Sequence, residues 1–245
     1  MSNSLLIKNC GQLLTMKGLA PKRGQAMSDL GLIKDAFVYC EEGKIVEIGR
    51  MAQLKKILTT KILKKTKIID AGGVVVMPGL IDCHTHAVFA GNRANEFKMK
   101  QDGKTYLEIL AGGGGILSTV RATRKATKQE LLRNLLGHLG DYLKCGVTTV
   151  EIKSGYGLDL KTELKILEVI EEARKLQPVK LVSTFLGAHV VPPEFKSSGK
   201  YLRYLVSKVL PKVKGKADFV DIFCEKKAFS PRESKKYLKF AKSLG

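Results

Sequence analysis

A chain of 245 residues with 44% hydrophobic content is large enough to bury a core the size of one α/β barrel or two modest domains, and it falls outside the disordered class. No run approaches the roughly 18 consecutive apolar residues of a membrane span, and the start Met1-Ser2-Asn3-Ser4-Leu5-Leu6-Ile7-Lys8 lacks signal-peptide architecture, so a cytoplasmic protein with no membrane partner is expected. The net charge of +20 resembles a nucleic-acid binder's footprint, but the 34 Lys and 9 Arg are scattered over helix faces and loops with Glu among them; the expectation is a solvated surface and no nucleic acid, with a positive field that favours a small anionic substrate.

Short strand-like pieces fill the first seventy residues: Leu5-Leu6-Ile7, Ala36 to Cys40, Lys44 to Ile48 and Lys67 to Asp70, with Glu41-Glu42-Gly43 closing a hairpin between the second and third. A helix is expected from about Met51 to Leu63. Residues 1–72 thus read as a small antiparallel β unit. The five cysteines, Cys10, Cys40, Cys83, Cys145 and Cys224, are widely spaced and odd in number, so they are expected to be reduced and mostly buried.

From residue 73 to 245 apolar strands alternate with amphipathic helices, the pattern of βαβ units and a parallel sheet. Four strand–helix repeats are expected. Val74 to His86 is the first strand, followed by a Gly-rich excursion and a helix over Lys128–Lys144 with Thr127 as its N-cap. Val147–Lys153 precedes a helix near Lys161–Leu176, Val179–Leu186 one near Tyr201–Val209, and Phe219–Cys224 one near Ser230–Ser243. Four repeats are half of an eight-fold barrel with two open edges; a doubly wound sheet is the alternative that needs no missing part.

The chemistry concentrates at the strand ends. Side chains of a strand alternate faces, so His84 and His86 point the same way and can grip one metal ion together. An open site on zinc or iron makes hydroxide from water at neutral pH, which suggests metal-assisted hydrolysis. Cys83 alternates away from the histidines and is expected in the core. Arg93, in the loop after this strand, is a fork for a substrate carboxylate or an ordinary exposed arginine. After the second strand, Gly155 and Gly157 flank Tyr156 and let the backbone turn the phenol into a cleft, or simply form a tight turn. Glu151 and Lys153 share a face and suggest a buried ion pair, with a carbamylated Lys153 bridging two metals as the sharper alternative.

His189, ahead of Pro192-Pro193, sits just past the third strand and is placed for catalysis or substrate contact. Glu225 either orients groups in the site or caps the following helix, and His138 is an ordinary helix residue. Gly112-Gly113-Gly114-Gly115 lacks the Lys-Ser/Thr ending of a phosphate loop and fits a lid or a close backbone approach.

Pro78-Gly79-Leu80-Ile81-Asp82-x-His84-Thr85-His86 resembles the first-strand signature of the amidohydrolase superfamily. Phe89 to Arg93 through Glu96-Phe97, Lys153 to Leu158, and Ser183 to His189 with Pro192-Pro193 are similar to the imidazolonepropionase family within it, and Gly112 to Ile116 and Asp221 to Glu225 also fit. The resemblance covers essentially the whole chain. It implies an α/β chain forming the first half of a (β/α)8 metal-dependent hydrolase barrel, preceded by part of a small β-sandwich domain. It implies opening of a cyclic amide, 4-imidazolone-5-propanoate, to N-formimino-L-glutamate in histidine breakdown, with one divalent ion, zinc or iron. On matching positions His84 and His86 are metal ligands, Arg93 holds the propionate, and Tyr156 and His189 contact substrate, His189 as the catalytic candidate. Family members run longer and supply a third metal histidine and an acidic proton shuttle from later strands, so this chain alone is expected to bind metal weakly and turn over poorly. A homodimer is a family expectation. The alternatives are another amidohydrolase, such as a deaminase or dihydropyrimidinase-like enzyme, or a non-catalytic truncated homologue.

Overall fold

The computed structural model describes residues 4–18, 20–57, 59, 63–105, 108, 112–226 and 228–245. The chain divides into two units, Met1–Pro78 and Gly79–Gly245. Among the described residues no helix is long and apolar enough to cross a membrane.

In the first unit, β1 (Ser4–Leu14), β2 (Leu32–Glu41), β3 (Lys44–Arg50), β4 (Lys67–Asp70) and β5 (Val75–Val76) form one sheet in the order β3-β2-β1-β4, with β5 also on β1. The hairpin between β2 and β3 turns on Glu42 (φ 50°) and Gly43 (φ 76°), the two positive dihedrals that match strand twist. Period two divides β2: Phe37 and Tyr39 join Leu6 and Leu54 in one cluster, Ala36 and Val38 join Cys10 and Leu13 in another.

Three expectations for this region are corrected. The unit is mixed rather than antiparallel, because β4 and β5 both run parallel to β1. β1 extends far beyond Leu5-Leu6-Ile7, because a bulge with Asn9 at φ 55° carries the strand past its polar residues. In place of a continuous helix from Met51, a 3₁₀ turn over Met51–Gln53 leads into the short helix α1 (Leu54–Ile57); part of the expected helix lies outside the described residues.

The second unit carries β6 (Leu80–Thr85), β7 (Val147–Lys153), β8 (Lys180–Ala188) and β9 (Phe219–Ile222), all parallel and adjacent in chain order. This order has no reversal point, which separates a curled half-barrel from the doubly wound alternative. β6 and β9 are its two edges, each paired with one strand of this sheet, and Ile81 (69% exposed) and Phe219 (62%) stand on them. The run Val74 to His86 is therefore two strands: Val75-Val76 pairs with β1, Met77-Pro78-Gly79 breaks the run, and only Leu80–Thr85 enters the parallel sheet.

The helices are α2 (Ala94–Gln101), α3 (Ile116–Lys125), α4 (Lys128–Lys144), α5 (Leu160–Ala173), α6 (Ser198–Tyr204), α7 (Leu210–Val213) and α8 (Pro231–Ser243). A π-helical turn, Leu205–Val209, joins α6 to α7. One apolar cluster unites Leu131, Leu135 and Leu139 of α4 and Ile166, Leu167 and Ile170 of α5 with Val150, Ile152, Phe185 and Ile222 of the sheet. Thr127 caps α4 with a full capping box: its hydroxyl accepts from Glu130 N (3.2 Å) and Glu130 Oε2 accepts from Thr127 N (2.7 Å). Thr127→Ala is expected to cost about 1 kcal/mol, seen as a lower urea midpoint with an unchanged denaturant slope.

The cysteines are free but not mostly buried. Only Cys10 is buried; Cys83, Cys145 and Cys224 are exposed, because Cys83 lies on the open edge strand β6, Cys145 ends α4 and Cys224 follows the other edge strand.

Candidate active site at the strand ends

His84 lies in β6, His86 one residue beyond it, Tyr156 in the turn after β7 and His189 directly after β8. The sheet order makes these chain ends neighbours, and their rings converge. His86 stacks on His189 at 4.7 Å between centroids with an interplanar angle of 9°. It lies 4.9 Å from the Tyr156 ring and 6.1 Å from that of His84, while Tyr156 and His189 are 5.8 Å apart. Phe89 meets Tyr156 edge-on at 6.4 Å and stacks on His138 at 5.2 Å. His138 also places Nδ1 3.0 Å from the Ala87 carbonyl oxygen and so ties α4 to the loop after β6.

Burial holds the inner imidazoles neutral. It is the largest influence pushing His86 down to about 3, followed by the charges of His189 and His84. His189 is also pushed down, first by burial, with Arg93 among the nearby charges that add to it. Its Nδ1 lies 3.1 Å from the carbonyl oxygen of Gly155. In the neutral ring Nδ1 therefore carries the hydrogen and donates it, and Nε2 is left as the acceptor.

Arg93 stands exposed at the start of α2, and its Nε donates to Thr119 Oγ1 of α3 at 3.0 Å. The terminal nitrogens make no other hydrogen bond among the described residues, which leaves the fork free for a carboxylate. The glycine run serves this arrangement. Gly115 (φ 75°) starts α3, the helix that carries Thr119, and Glu96 Oε1 accepts from Gly115 N at 2.9 Å.

Lys153, at the end of β7, is 7% exposed. Its Nζ donates to Glu151 Oε1 (2.6 Å) and to Asp221 Oδ2 of β9 (3.1 Å), and Thr184 Oγ1 donates to the same Glu151 oxygen (2.7 Å). The expected ion pair is present as a triad. Burial opposes its charge, but the two carboxylates outweigh burial and raise Lys153 above the ordinary lysine range. A carbamate needs a neutral amine, so this environment works against the carbamylated alternative. Glu225 does not cap the last helix, because Ser230 caps α8 in a box with Glu233; Glu225 is exposed and accepts from the backbone N–H of Lys226 at 2.7 Å.

Sequence reasoning missed Asp221 as the second partner of Lys153, although an acid inside the apolar strand Phe219–Ile222 was a usable signal. It also missed Glu163 and Tyr201, which touch backbone and leave no motif. Glu163, fully buried in α5, accepts backbone N–H bonds from Gly155, Gly157 and Leu158. The Tyr201 hydroxyl lies 2.7 Å from the Gly187 carbonyl oxygen and 3.2 Å from that of Leu158.

For a metal, the site offers two donors. Nδ1 of His86 is buried and without a hydrogen-bond partner among the described residues, the state of a nitrogen built to meet something else. No group of three His, Cys, Asp or Glu side chains able to hold an ion occurs among the described residues, whereas a catalytic zinc usually has three protein ligands. The residues present fit two positions of such a centre.

No protein-family model matches the chain. Among curated relatives, an imidazolonepropionase of Bacillus cytotoxicus is 49% identical over 244 residues, covering 98% of this chain and 56% of the relative. One from Alkaliphilus metalliredigens is 45% identical over 249 residues, covering 100% and 58%. The chain thus spans a little over half the length of these relatives. Among solved structures, a triazine hydrolase from Arthrobacter aurescens aligns over 98% of this chain and 51% of its own, with a TM-score of 0.63 and 13% identity. The guanine deaminase of E. coli aligns over 99% and 50%, with a TM-score of 0.57 and 14% identity. An atrazine chlorohydrolase from Arthrobacter aurescens TC1, complexed with zinc, aligns over 98% and 51%, with a TM-score of 0.52 and 14% identity. At these identities the structures speak for the fold: part of an amidohydrolase (β/α)8 barrel.

Proposed function

We propose that the chain belongs to the imidazolonepropionase family, two of whose members it matches at 49% and 45% identity, and that its site is the N-terminal share of a centre that hydrolyses 4-imidazolone-5-propanoate to N-formimino-L-glutamate. The observation that carries this reading is the convergence of His84, His86, Tyr156 and His189 at neighbouring strand ends, with Arg93 near enough for its charge to act on His189. His84 and His86 would hold one divalent ion, zinc or iron, with further donors supplied by the part of the relatives' length that this chain does not span. When bound, the ion supplies Lewis acidity toward the ring carbonyl and lowers the pKa of water.

The chain's own residues bind and orient. Arg93 receives the propionate carboxylate bidentately through its terminal nitrogens, while Thr119 fixes the guanidinium plane. Tyr156 and Phe89 wall the heterocycle. His189, locked as the Nδ1–H tautomer by Gly155, presents Nε2 to accept a proton from the substrate ring or from water. The small anionic substrate, a cytoplasmic setting and the homodimer belong to this same proposal, and the Lys-rich surface supports the first by raising the encounter rate.

The test is metal content and imidazolone propionate hydrolysis, measured on the 245-residue chain and on the chain extended through the downstream reading frame. About one tightly held metal and turnover are expected only in the extended protein, both lost on His84→Ala or His86→Ala. An extended protein that holds metal yet leaves this substrate intact while hydrolysing another cyclic amide or amine would overturn the assignment.

A further inference from the structure

The turn Ser154 to Leu158 is held in a conformation it would not keep by itself. Gly155 sits at φ 104° and Leu158, a buried non-glycine residue, at φ 58°. A Cβ on Gly155 would lie 2.6 Å from the Leu186 carbonyl oxygen, and one on Gly157 would lie 2.7 Å from Glu163 N, so the turn is packed against backbone on both sides. Such strain persists only where surrounding contacts over-determine it.

Those contacts converge on one carboxylate. Glu163 Oε1 accepts from Gly157 N and Leu158 N, each at 2.8 Å, and Oε2 accepts from Gly155 N at 3.1 Å. The turn's carbonyls are caught from the other side: Arg124 Nε donates to Gly157 O at 2.7 Å, and the Tyr201 hydroxyl lies against Leu158 O. Gly155 joins the two systems, since its N–H is on Glu163 and its carbonyl accepts from His189 Nδ1.

We propose that Glu163 is a positioning residue: by gathering the N–H groups of Gly155, Gly157 and Leu158 it fixes where Tyr156 projects and holds the Gly155 carbonyl that sets the His189 tautomer. The role in catalysis rests on the function proposed above; the role in setting the tautomer does not. All of its partners are donors that favour the carboxylate, including the Ser154 hydroxyl, while burial, the largest influence, pushes its carboxyl above the ordinary range.

Glu163→Gln separates the two oxygens. An amide can keep the Gly157 and Leu158 bonds on its one oxygen, but its NH₂ then faces Gly155 N–H and the Gly155 bond is lost. The test is ¹⁵N NMR of the imidazoles in the 245-residue chain, with His189 assigned through His189→Gln. The native chain should show His189 essentially as the Nδ1–H form, and in Glu163→Gln the Nδ1–H to Nε2–H ratio should fall at least about threefold. Thr127→Ala, which weakens the fold elsewhere, should leave the ratio unchanged. If Glu163→Gln does not fold, Glu163→Asp decides: it keeps the charge, shortens the reach and should shift the ratio in the same direction. An unchanged ratio in whichever of these variants folds overturns the proposal. In the extended protein, Glu163→Gln should lower kcat about tenfold with little change in KM; failure there with the tautomer shifted would count against the proposed reaction and not against the positioning role.

Discussion

Lys153→Met is expected to destabilise the chain by about 2–3 kcal/mol at pH 7, against about 3–5 kcal/mol for breaking a fully buried pair. The discount follows from exposure: the lysine side chain is 8% exposed, but its partners Glu151 and Asp221 keep 22% and 42% of theirs. The loss arises chiefly from leaving two carboxylates facing each other without their cation. It is therefore pH dependent, with a sign that can be worked out. Burial alone would raise Glu151, but the hydrogen bonds from Lys153 and Thr184 outweigh it and hold the carboxyl below its ordinary value. A depressed carboxylate contributes stability above its unfolded pKa and loses it as pH falls through the folded one; the raised Lys153 contributes below its unfolded pKa and loses it only as pH rises through the folded one. Across neutral pH both contributions are present. Urea unfolding of native and variant chains should show a wide gap at pH 7 that narrows below about pH 4, as Glu151 protonates. A gap of the same size at both pH values would mean that Lys153 matters through the packing of its methylenes and not through its charge.

Gly155→Ala should be the more damaging change, at about 3–5 kcal/mol. A side chain at φ 104° costs on the order of 1–3 kcal/mol, and the added carbon meets the Leu186 carbonyl oxygen at 2.6 Å, backbone that cannot swing aside. The same carbon lies 3.0 Å from His189 Nδ1, so relief of the clash must displace the imidazole or the β8 end that carries it. Thermal unfolding reads the first effect and the His189 ring signals read the second. A loss below about 1 kcal/mol with unmoved signals would show that the turn relaxes freely and is not the rigid support inferred for Tyr156 and His189.

Much of the architecture is legible in local pattern. The capping boxes Thr127/Glu130 and Ser230/Glu233 mark the starts of α4 and α8, and apolar spacing gives their lengths. The strand Val147–Lys153 has its expected limits, because its β-branched residues stop at a lysine followed by a glycine turn. His84, His86, Tyr156 and His189 were all readable as strand-end residues, and the structure brings their rings together. Arg93 was readable as a fork, but not that Thr119, 26 residues later, would orient it.

What local pattern misses is partnership across the chain. Val75-Val76 has the same apolar pattern as the strand that follows, and only its pairing with β1 assigns it to the other sheet. Cys83 alternates like a core residue but is exposed because β6 has no neighbour on its outer side among the described residues. Glu163 occupies a first-turn position where an acid is ordinary, and nothing near it in sequence says that it will be sealed from water and hold three N–H groups. The sequence by itself thus determined the order of the parallel strands, the starts of α4 and α8 and the placing of chemical groups at strand ends, because those depend on periodicity and on short-range capping. Tertiary structure alone decided which strand is an edge, which acid meets Lys153 and which carboxylate supports the Tyr156 turn, because each depends on the spatial neighbour that a given face acquires when the sheet assembles.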